Sequence, residues 1–483
     1  MTDKEKQIKD VYDMFVSKGM VVGYRTKNRE EYALVHTQKQ SVFGNIQSKG
    51  ILTALKRLFY EYDSDFIGLD NDFLICMLQM TCYDNQLEHD FVHRIFFDGT
   101  KYVYDLDQSA NSVVTIDREE ISIGTISEVY FKRGVDYKPQ VEPDFDSEGR
   151  KLCGYIKKHF NIPTKEERLL FALYLVSCFI PDINCPVLIL YGEKGSGKSS
   201  CLRKIREVIS PSSADLTGMP KTLDDLALRL CNTYYLCLDN CSSIKRDYSD
   251  LLARACTGGS YSKRKLYTDS EETMINIKGH VALNSVSVFT KESDLLDRSL
   301  ILHLSRFDSE EIITEERMWD EFNEDLPKIL GSIFNILSQV LFDDEPVETT
   351  KLVRLADWHE KCLKIGRCLG VSEEDVNDVI WSNQHNVNKI TLDEDIIAFT
   401  VISLLKREGG EYVGSMSQLL KDLNMEARHL AVKGNLLPKS PNHLSARLKK
   451  IQSNLKQEYG IEYEIKNKGA FKEITIVKRK SND

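Results

Sequence analysis

PVLILYGEKGSGKSSCLRKIREVI, from Pro186 to Ile209, decides how the rest of the chain must be read. Its opening third carries no charge and is rich in Leu, Ile and Val, the composition of a strand buried on both faces. Its last third has the pattern of a helix. Between them Gly192, Glu193, Lys194, Gly195, Ser196, Gly197, Lys198, Ser199 and Ser200 match GxxxxGK[ST] in full, in the strand-to-helix context that the motif requires. Each residue type has a reason. Glycines let the backbone wrap closely and turn its N–H groups inward, which makes an anion nest. The following helix adds its positive end. Lys198 is placed to reach β- and γ-phosphates, and Ser199 offers a hydroxyl to Mg²⁺. ATP with Mg²⁺ is therefore the expected ligand pair.

Working outward, three further apolar runs follow: TYYLCLDN, HVALNS and SLILHLSRF. Helical patterns such as TLDDLALRL and DLLARAC lie between them. That alternation predicts an α/β sheet of buried parallel strands over residues 150–310. Asp239 sits at the tip of one run, where a second Mg²⁺ anchor is needed. The next residue is Asn240, which can orient a water by hydrogen bonds but cannot take its proton. Asp247 or Asp250 are the other acids within sequence reach. Asn284 ends the strand HVAL, where a γ-phosphate would be sensed, although turn chemistry alone also explains an Asn there. Arg298, in DLLDRSLIL, reads either as a surface ion pair or as a finger inserted into a neighbouring copy's site.

Between Asp239 and Asn284 lies TGGSYSKRKLYTDSEE. Lys263, Arg264 and Lys265 crowd three cations together, with Tyr261 and Tyr267 on either side. This stretch is a solvated loop, or a hairpin whose cations follow a nucleic-acid backbone.

The chain has 483 residues, of which 42% are apolar and 29% charged, so a packed core is expected rather than disorder. Net charge is −10, yet Ser445 to Asp483 holds ten Lys/Arg against five Asp/Glu. A basic tail on an acidic body results. The longest apolar run, Leu169 to Ile180, is too short for a bilayer, which takes about 20 residues. With a mixed-charge start and no signal peptide pattern, the expectation is a cytoplasmic protein without membrane contact. No CxxC pair exists among the twelve cysteines. Reduced, buried thiols are expected rather than a zinc ribbon.

Residues 1–140 read as a mixed α+β unit without a chemical motif, and Arg133 to Gly149 as a linker. Residues 311–390 read as a helical extension. From 391 to 483 the order is helix, helix, helix, hairpin, which predicts a winged-helix domain. Arg447, Lys449, Lys450 and Lys456 lie on its third helix as candidate DNA contacts, or as an ordinary wet face.

GEKGSGKSS, LCLDN, TGGSYSKRKLYTD, VALNS and DLLDRSLIL, in this order and spacing, resemble the AAA+ core of superfamily 3 helicases. The resemblance is strongest to the phage, plasmid and poxvirus-type primase-helicase proteins. It extends to replication initiator helicases of Gram-positive mobile elements such as staphylococcal pathogenicity islands. The motifs run from Pro186 to Phe307, and FFDGTKYVYDLDQ and FKRGVDYKP upstream resemble that family's N-terminal part. The resemblance implies a ring, usually a hexamer, that hydrolyses ATP and moves along single- and double-stranded DNA at a replication origin, alongside host replication proteins. It implies Lys198 and Ser199 as the phosphate and Mg²⁺ groups, Asp239 as the second anchor, Asn284 as the sensor and Arg298 as the finger in trans. Lys263 to Lys265 become the tip of a DNA hairpin. No polymerase-type acidic motif precedes residue 150, so no priming is expected. The alternative is a nucleotide-switched origin-binding protein or helicase loader with no unwinding of its own. A small-molecule P-loop kinase would need neither the basic hairpin nor the winged helix.

Overall fold

Helix α1 (Asp3–Ser17) starts where Thr2 and Glu5 cap each other's backbone N–H groups. In the computed structural model of this chain, strands β1 (Val21–Arg25), β2 (Glu31–His36) and β3 (Ser41–Asn45) then form an antiparallel sheet in that order. Helices α2 (Lys49–Tyr62) and α3 (Asn71–Asp84) come next. Phe15, Val35, Ile51, Leu55, Phe59 and Leu78 build one core drawn wholly from this first stretch. The structure describes all residues except 1, 40, 88, 108–111, 127–130, 135, 182, 265–271, 287–292, 308–312, 348, 350, 431–436, 470, 471 and 480–483.

A second antiparallel sheet holds β4 (Ile95–Phe97), β5 (Tyr102–Asp105), β6 (Ser112–Ile116) and β7 (Ile121–Thr125) in chain order. Its Tyr104, Val114 and Ile116 belong to a core continued by Leu152, Ile156 and Phe171, not to the core of the first 84 residues. The described residues of 1–140 thus contribute to more than one core, with Val103, Val113 and Phe131 forming a further small cluster.

Then come α4 (Leu152–His159), α5 (Lys165–Ser177), β8 (Val187–Tyr191), α6 (Lys198–Ile209), α7 (Leu223–Asn232), β9 (Tyr235–Leu238) and α8 (Arg246–Thr257). The hairpin β10 (Gly259–Arg264) and β11 (Glu272–Ile277) leads to β12 (His280–Ser285), α9 (Ser293–Leu296) and β13 (Ser299–His303). The four apolar runs are β8, β9, β12 and β13. They form one parallel sheet in the order β13-β8-β12-β9. The pleat explains why they lack polar alternation. Leu188 and Leu190 face a core shared with α5 and α6, while Val187 and Ile189 face a second core with α7 and α8.

Three helices close this unit: α10 (Glu315–Phe342), α11 (Ala356–Leu369) and α12 (Glu373–Glu394). On α12 the Asn383 amide caps the sheet's edge. Its Oδ1 accepts from the Ile301 N–H and its Nδ2 donates to the Ile301 carbonyl.

The last unit runs α13 (Ile396–Arg407), β14 (Glu411–Ser415), α14 (Met416–His429), α15 (Pro441–Tyr459), β15 (Ile461–Asn467) and β16 (Lys472–Lys478). The sequence pattern predicts the three helices and the final hairpin but not β14. This five-residue strand pairs with β16, so the hairpin becomes a three-stranded sheet. Its EYVGS has only one buried side chain, too weak a period to read as a strand. Leu444, Leu448, Ile451 and Leu455, four residues of one α15 face, are buried in this unit's own core. Among the described residues, no helix is long and apolar enough to cross a membrane.

Candidate nucleotide site

Parallel strands place their C-terminal ends together, and the conspicuous polar residues gather there. β8 ends at Tyr191 and the glycine-rich turn begins at once. Two of its glycines are demanded by space as well as by backbone conformation. Gly192 has φ +155°, and a Cβ there would lie 2.2 Å from the Leu304 carbonyl oxygen. Gly197 has φ +75°, and a Cβ would lie 2.7 Å from the Phe307 ring. The turn is pressed against the segment that leaves β13. Gly195 also has a left-handed φ but open space around it. Gly192→Ala is therefore expected to destabilise the fold by about 1–3 kcal/mol, with Gly195→Ala costing less. Urea unfolding of the two variants side by side checks the order.

Ser196 is fully buried and donates to the Glu193 carbonyl at 2.9 Å. Lys198 opens α6. Its Nζ donates to the Gly192 and Glu193 carbonyls, both at 2.7 Å, and to Ser196 Oγ at 3.2 Å. Burial pushes its pKa below the ordinary lysine value, and Asp239 opposes that. A partly buried ammonium beside a glycine-rich turn at the N-terminus of α6 suits an anion.

Beside the turn, Ser199 on α6 donates to Asp239 Oδ1 at 2.8 Å. Asn284 Nδ2 donates to the same oxygen at 2.6 Å and lies 3.5 Å from Ser199 Oγ. Asn284 Oδ1 accepts from the Asn240 N–H at 2.7 Å, and its carbonyl accepts from the Cys241 N–H at 2.8 Å. α6, the exit of β9 and the end of β12 are thus tied into one network. Asn284 is only 2% exposed, so a turn role alone does not account for it. Asn240 holds φ +54°, a left-handed conformation that Asn tolerates better than most residues, and its side chain is exposed. A hydroxyl beside a carboxylate oxygen is a pair of hard donors that fits a divalent cation such as Mg²⁺.

The other candidates stand apart from this cluster. Asp247 and Asp250 lie in the first turns of α8, and Asp250 faces Arg246 at 3.9 Å. Arg298 precedes β13, whose register pairs Ser299 with Val187 and His303 with Tyr191. It therefore sits at the far end of the sheet from the turn. Its guanidinium forms an ion pair with Asp294 and donates to the Asp294 carbonyl at 2.9 Å. Tyr261, expected near a basic tip, instead donates to Asp224 on α7 at 2.7 Å, near the hairpin's base. Lys263 and Arg264 fall at the last paired positions of β10, Arg264 opposite Glu272. Lys265 and Tyr267 lie outside the described residues. On α15, Arg447 is tied to Asp395 at 2.7 Å and Lys456 to Glu462 at 2.8 Å. Lys449 and Lys450 are exposed on the same helix.

One residue escaped the sequence reading. Asn161, in the α4–α5 connection, donates through Nδ2 to the Ser196 carbonyl at 3.1 Å and to the Ser305 carbonyl at 2.5 Å. It fastens the glycine-rich turn to the segment after β13. A lone Asn in HFNIPT carries no signal that would have found it.

Residues 155–377 match the family described as the actinomycete integrative conjugative element replication protein. Residues 397–482 match the AICE RepA C-terminal domain. Both descriptions are of replication proteins of actinomycete integrative conjugative elements, and neither is specific to staphylococcal islands. No protein of curated function matches the chain. Among solved structures it is similar to the A form apo structure of the NrS-1 C terminal region. There the identity is 11%, the TM-score 0.39, and the match covers 97% of this chain and 98% of that one. The apo structure of NrS-1 C terminal region (305-718) gives 12% identity and a TM-score of 0.38 over the same shares.

Proposed function

We propose that this chain, a relative of mobile-element replication proteins, is an ATP-driven DNA helicase and replication initiator. In this reading its core is of the AAA+ kind and residues 391–483 form a winged helix. One observation carries the reading. A complete phosphate-binding turn stands beside a Ser199–Asp239–Asn284 network at the C-terminal edge of a parallel sheet. The topology of the last unit, three helices and a three-stranded sheet with a basic final stretch, supports the DNA-binding part.

Each residue then has a task. The backbone N–H groups of the turn bind the triphosphate, and Lys198 exchanges its bonds to loop carbonyls for bonds to phosphate oxygens. Ser199 and Asp239 would hold Mg²⁺, which when bound neutralises charge on the phosphates. Asn284 locks the Asp239 carboxylate in place and reports on its occupancy through the Asn240 backbone. Asn240 presents an amide, which aligns a water without deprotonating it. Arg298 completes the site of a neighbouring copy in a ring, and the hairpin carrying Lys263, Arg264 and Lys265 follows the DNA strand.

The decisive experiment measures ATP hydrolysis with and without single-stranded DNA, together with strand displacement by the purified chain. DNA-stimulated hydrolysis with unwinding is expected. Hydrolysis without unwinding, unless a partner helicase is added, would favour an origin-binding loader. ATP bound but not hydrolysed would leave only the nucleotide-switched origin-binding reading, and no ATP binding at all would end both.

Contact between the last unit and DNA has its own test. Lys449→Ala and Lys450→Ala should each reduce the slope of log affinity against log salt by about 1. Fluorescence anisotropy over a salt series reads it. An unchanged slope would leave the two lysines as a wet helix face.

A further inference from the structure

At the end of the parallel sheet away from the glycine-rich turn, three metal-binding side chains converge. Cys178 follows the last residue of α5, Cys185 lies just before β8, and His280 opens β12. One ligand atom from each lies within 4.8 Å of the other two. Their exposures are 0%, 5% and 8%. Among the described residues, no other three His, Cys, Asp or Glu side chains are gathered this closely. The Cys185 thiol donates to the Ser177 carbonyl at 3.4 Å and lies 3.7 Å from Ser177 Oγ. The His280 ring is held by Tyr234 and Tyr235, with centroids 4.9 and 6.4 Å away.

A second observation comes from the histidine itself. His280 Nδ1 is buried and has no hydrogen-bond partner. An orphaned ring nitrogen in a dry interior costs free energy unless something binds there. A fourth thiol is also at hand. Cys362, on α11, is fully buried in the same core as Cys178 and Cys185.

We propose that Cys178, Cys185 and His280 bind one Zn²⁺ ion, with a water or the Cys362 thiol in the fourth position. Two thiolates and an imidazole are zinc's preferred donors, whereas Mg²⁺ and Ca²⁺ take oxygen. Tetrahedral zinc, with Zn–S near about 2.3 Å and Zn–N near about 2.0 Å, puts its ligand atoms roughly 3.5–3.8 Å apart. The three atoms lie within 4.8 Å of one another, so each pair needs to close by at most about 1.3 Å. Each thiol loses its proton to solvent as the ion binds, so loading weakens at low pH. A buried site of this kind is structural. It would join α5, the lead into β8 and the start of β12, the strands whose other ends carry the turn and Asn284. Zinc occupancy is independent of nucleotide hydrolysis and is read as metal, so either can fail without the other.

The test uses the full chain purified without chelators under reducing conditions. Elemental analysis should give one zinc per chain. Replacement by Co²⁺ should give a thiolate-to-cobalt charge-transfer band and visible bands of tetrahedral intensity. Cys185→Ser and His280→Ala should each lose zinc at least tenfold, while Cys76→Ser, at an exposed thiol, retains it. The cobalt spectrum of the unaltered chain decides the matter even if these variants fail to fold. The proposal is overturned if the unaltered chain holds no stoichiometric zinc and shows no cobalt–thiolate band. It is equally overturned by a Cys178–Cys185 disulfide in the native protein, or by undiminished zinc in soluble Cys185→Ser.

Discussion

Lys198→Ala is expected to lower ATP hydrolysis by a factor on the order of 10³ and to abolish strand displacement, with the fold intact. The size comes from where the ammonium sits. Lys198 Nζ is bound to two carbonyls and one hydroxyl of its own turn, all within 3.2 Å. Alanine leaves those acceptors open to water at a partly exposed site, so the cost to stability is small. What is lost is the mobile cation of the turn, able to follow charge as it develops between the β- and γ-phosphates. Thermal unfolding of the variant beside the unaltered chain controls for any effect on the fold. Ser199→Ala provides the contrast. It removes one donor to Asp239 but leaves Asn284 in place. Its hydrolysis should therefore fall less and demand more Mg²⁺ for half-maximal rate. Hydrolysis by Lys198→Ala at the unaltered rate would remove the turn from the chemistry altogether.

How much of this is legible in the sequence is a question of range. Four apolar runs announce the parallel sheet because a strand buried on both faces leaves an unbroken local mark. The turn is legible for the same reason, since its glycines answer to constraints carried by the motif itself. Asp239 and Asn284 are recognisable as strand tips, but their shared hydrogen bond joins residues 45 positions apart. That bond depends on β12 lying between β8 and β9, an order that no local pattern encodes. Asn161 shows the limit most clearly: its two acceptors are 35 and 144 residues away. The same blindness applies to pairing. Arg447 and Tyr261 look like free contacts for DNA, yet Asp395 and Asp224 hold them. The cysteines repeat the lesson, because Cys185 and His280 meet only once the sheet has formed.

Arg298→Ala should leave nucleotide binding within a few-fold of the unaltered chain and cut hydrolysis by about 10³ or more. The register of β13 on β8 sets this expectation. Arg298 precedes Ser299, which pairs with Val187, while the turn begins after Tyr191. The rise along β8 puts roughly 13 Å between those two ends, more than an arginine side chain can span around the sheet to its own turn. Any contact between this guanidinium and phosphate must therefore come from another copy. Removing it should not unfold the chain. Asp294, its partner, keeps a second ion pair with Arg354 at 2.8 Å, so no carboxylate is left unpaired. Mixing supplies the sharper test. Arg298→Ala and Lys198→Ala are each inactive alone, but each carries what the other lacks. In a head-to-tail ring mixed at random in equal amounts, about one interface in four pairs an intact Lys198 with an intact Arg298. Hydrolysis should return towards that fraction. If Arg298→Ala alone hydrolyses ATP at full rate, or if the mixture stays as inactive as its components, the site is not shared between copies.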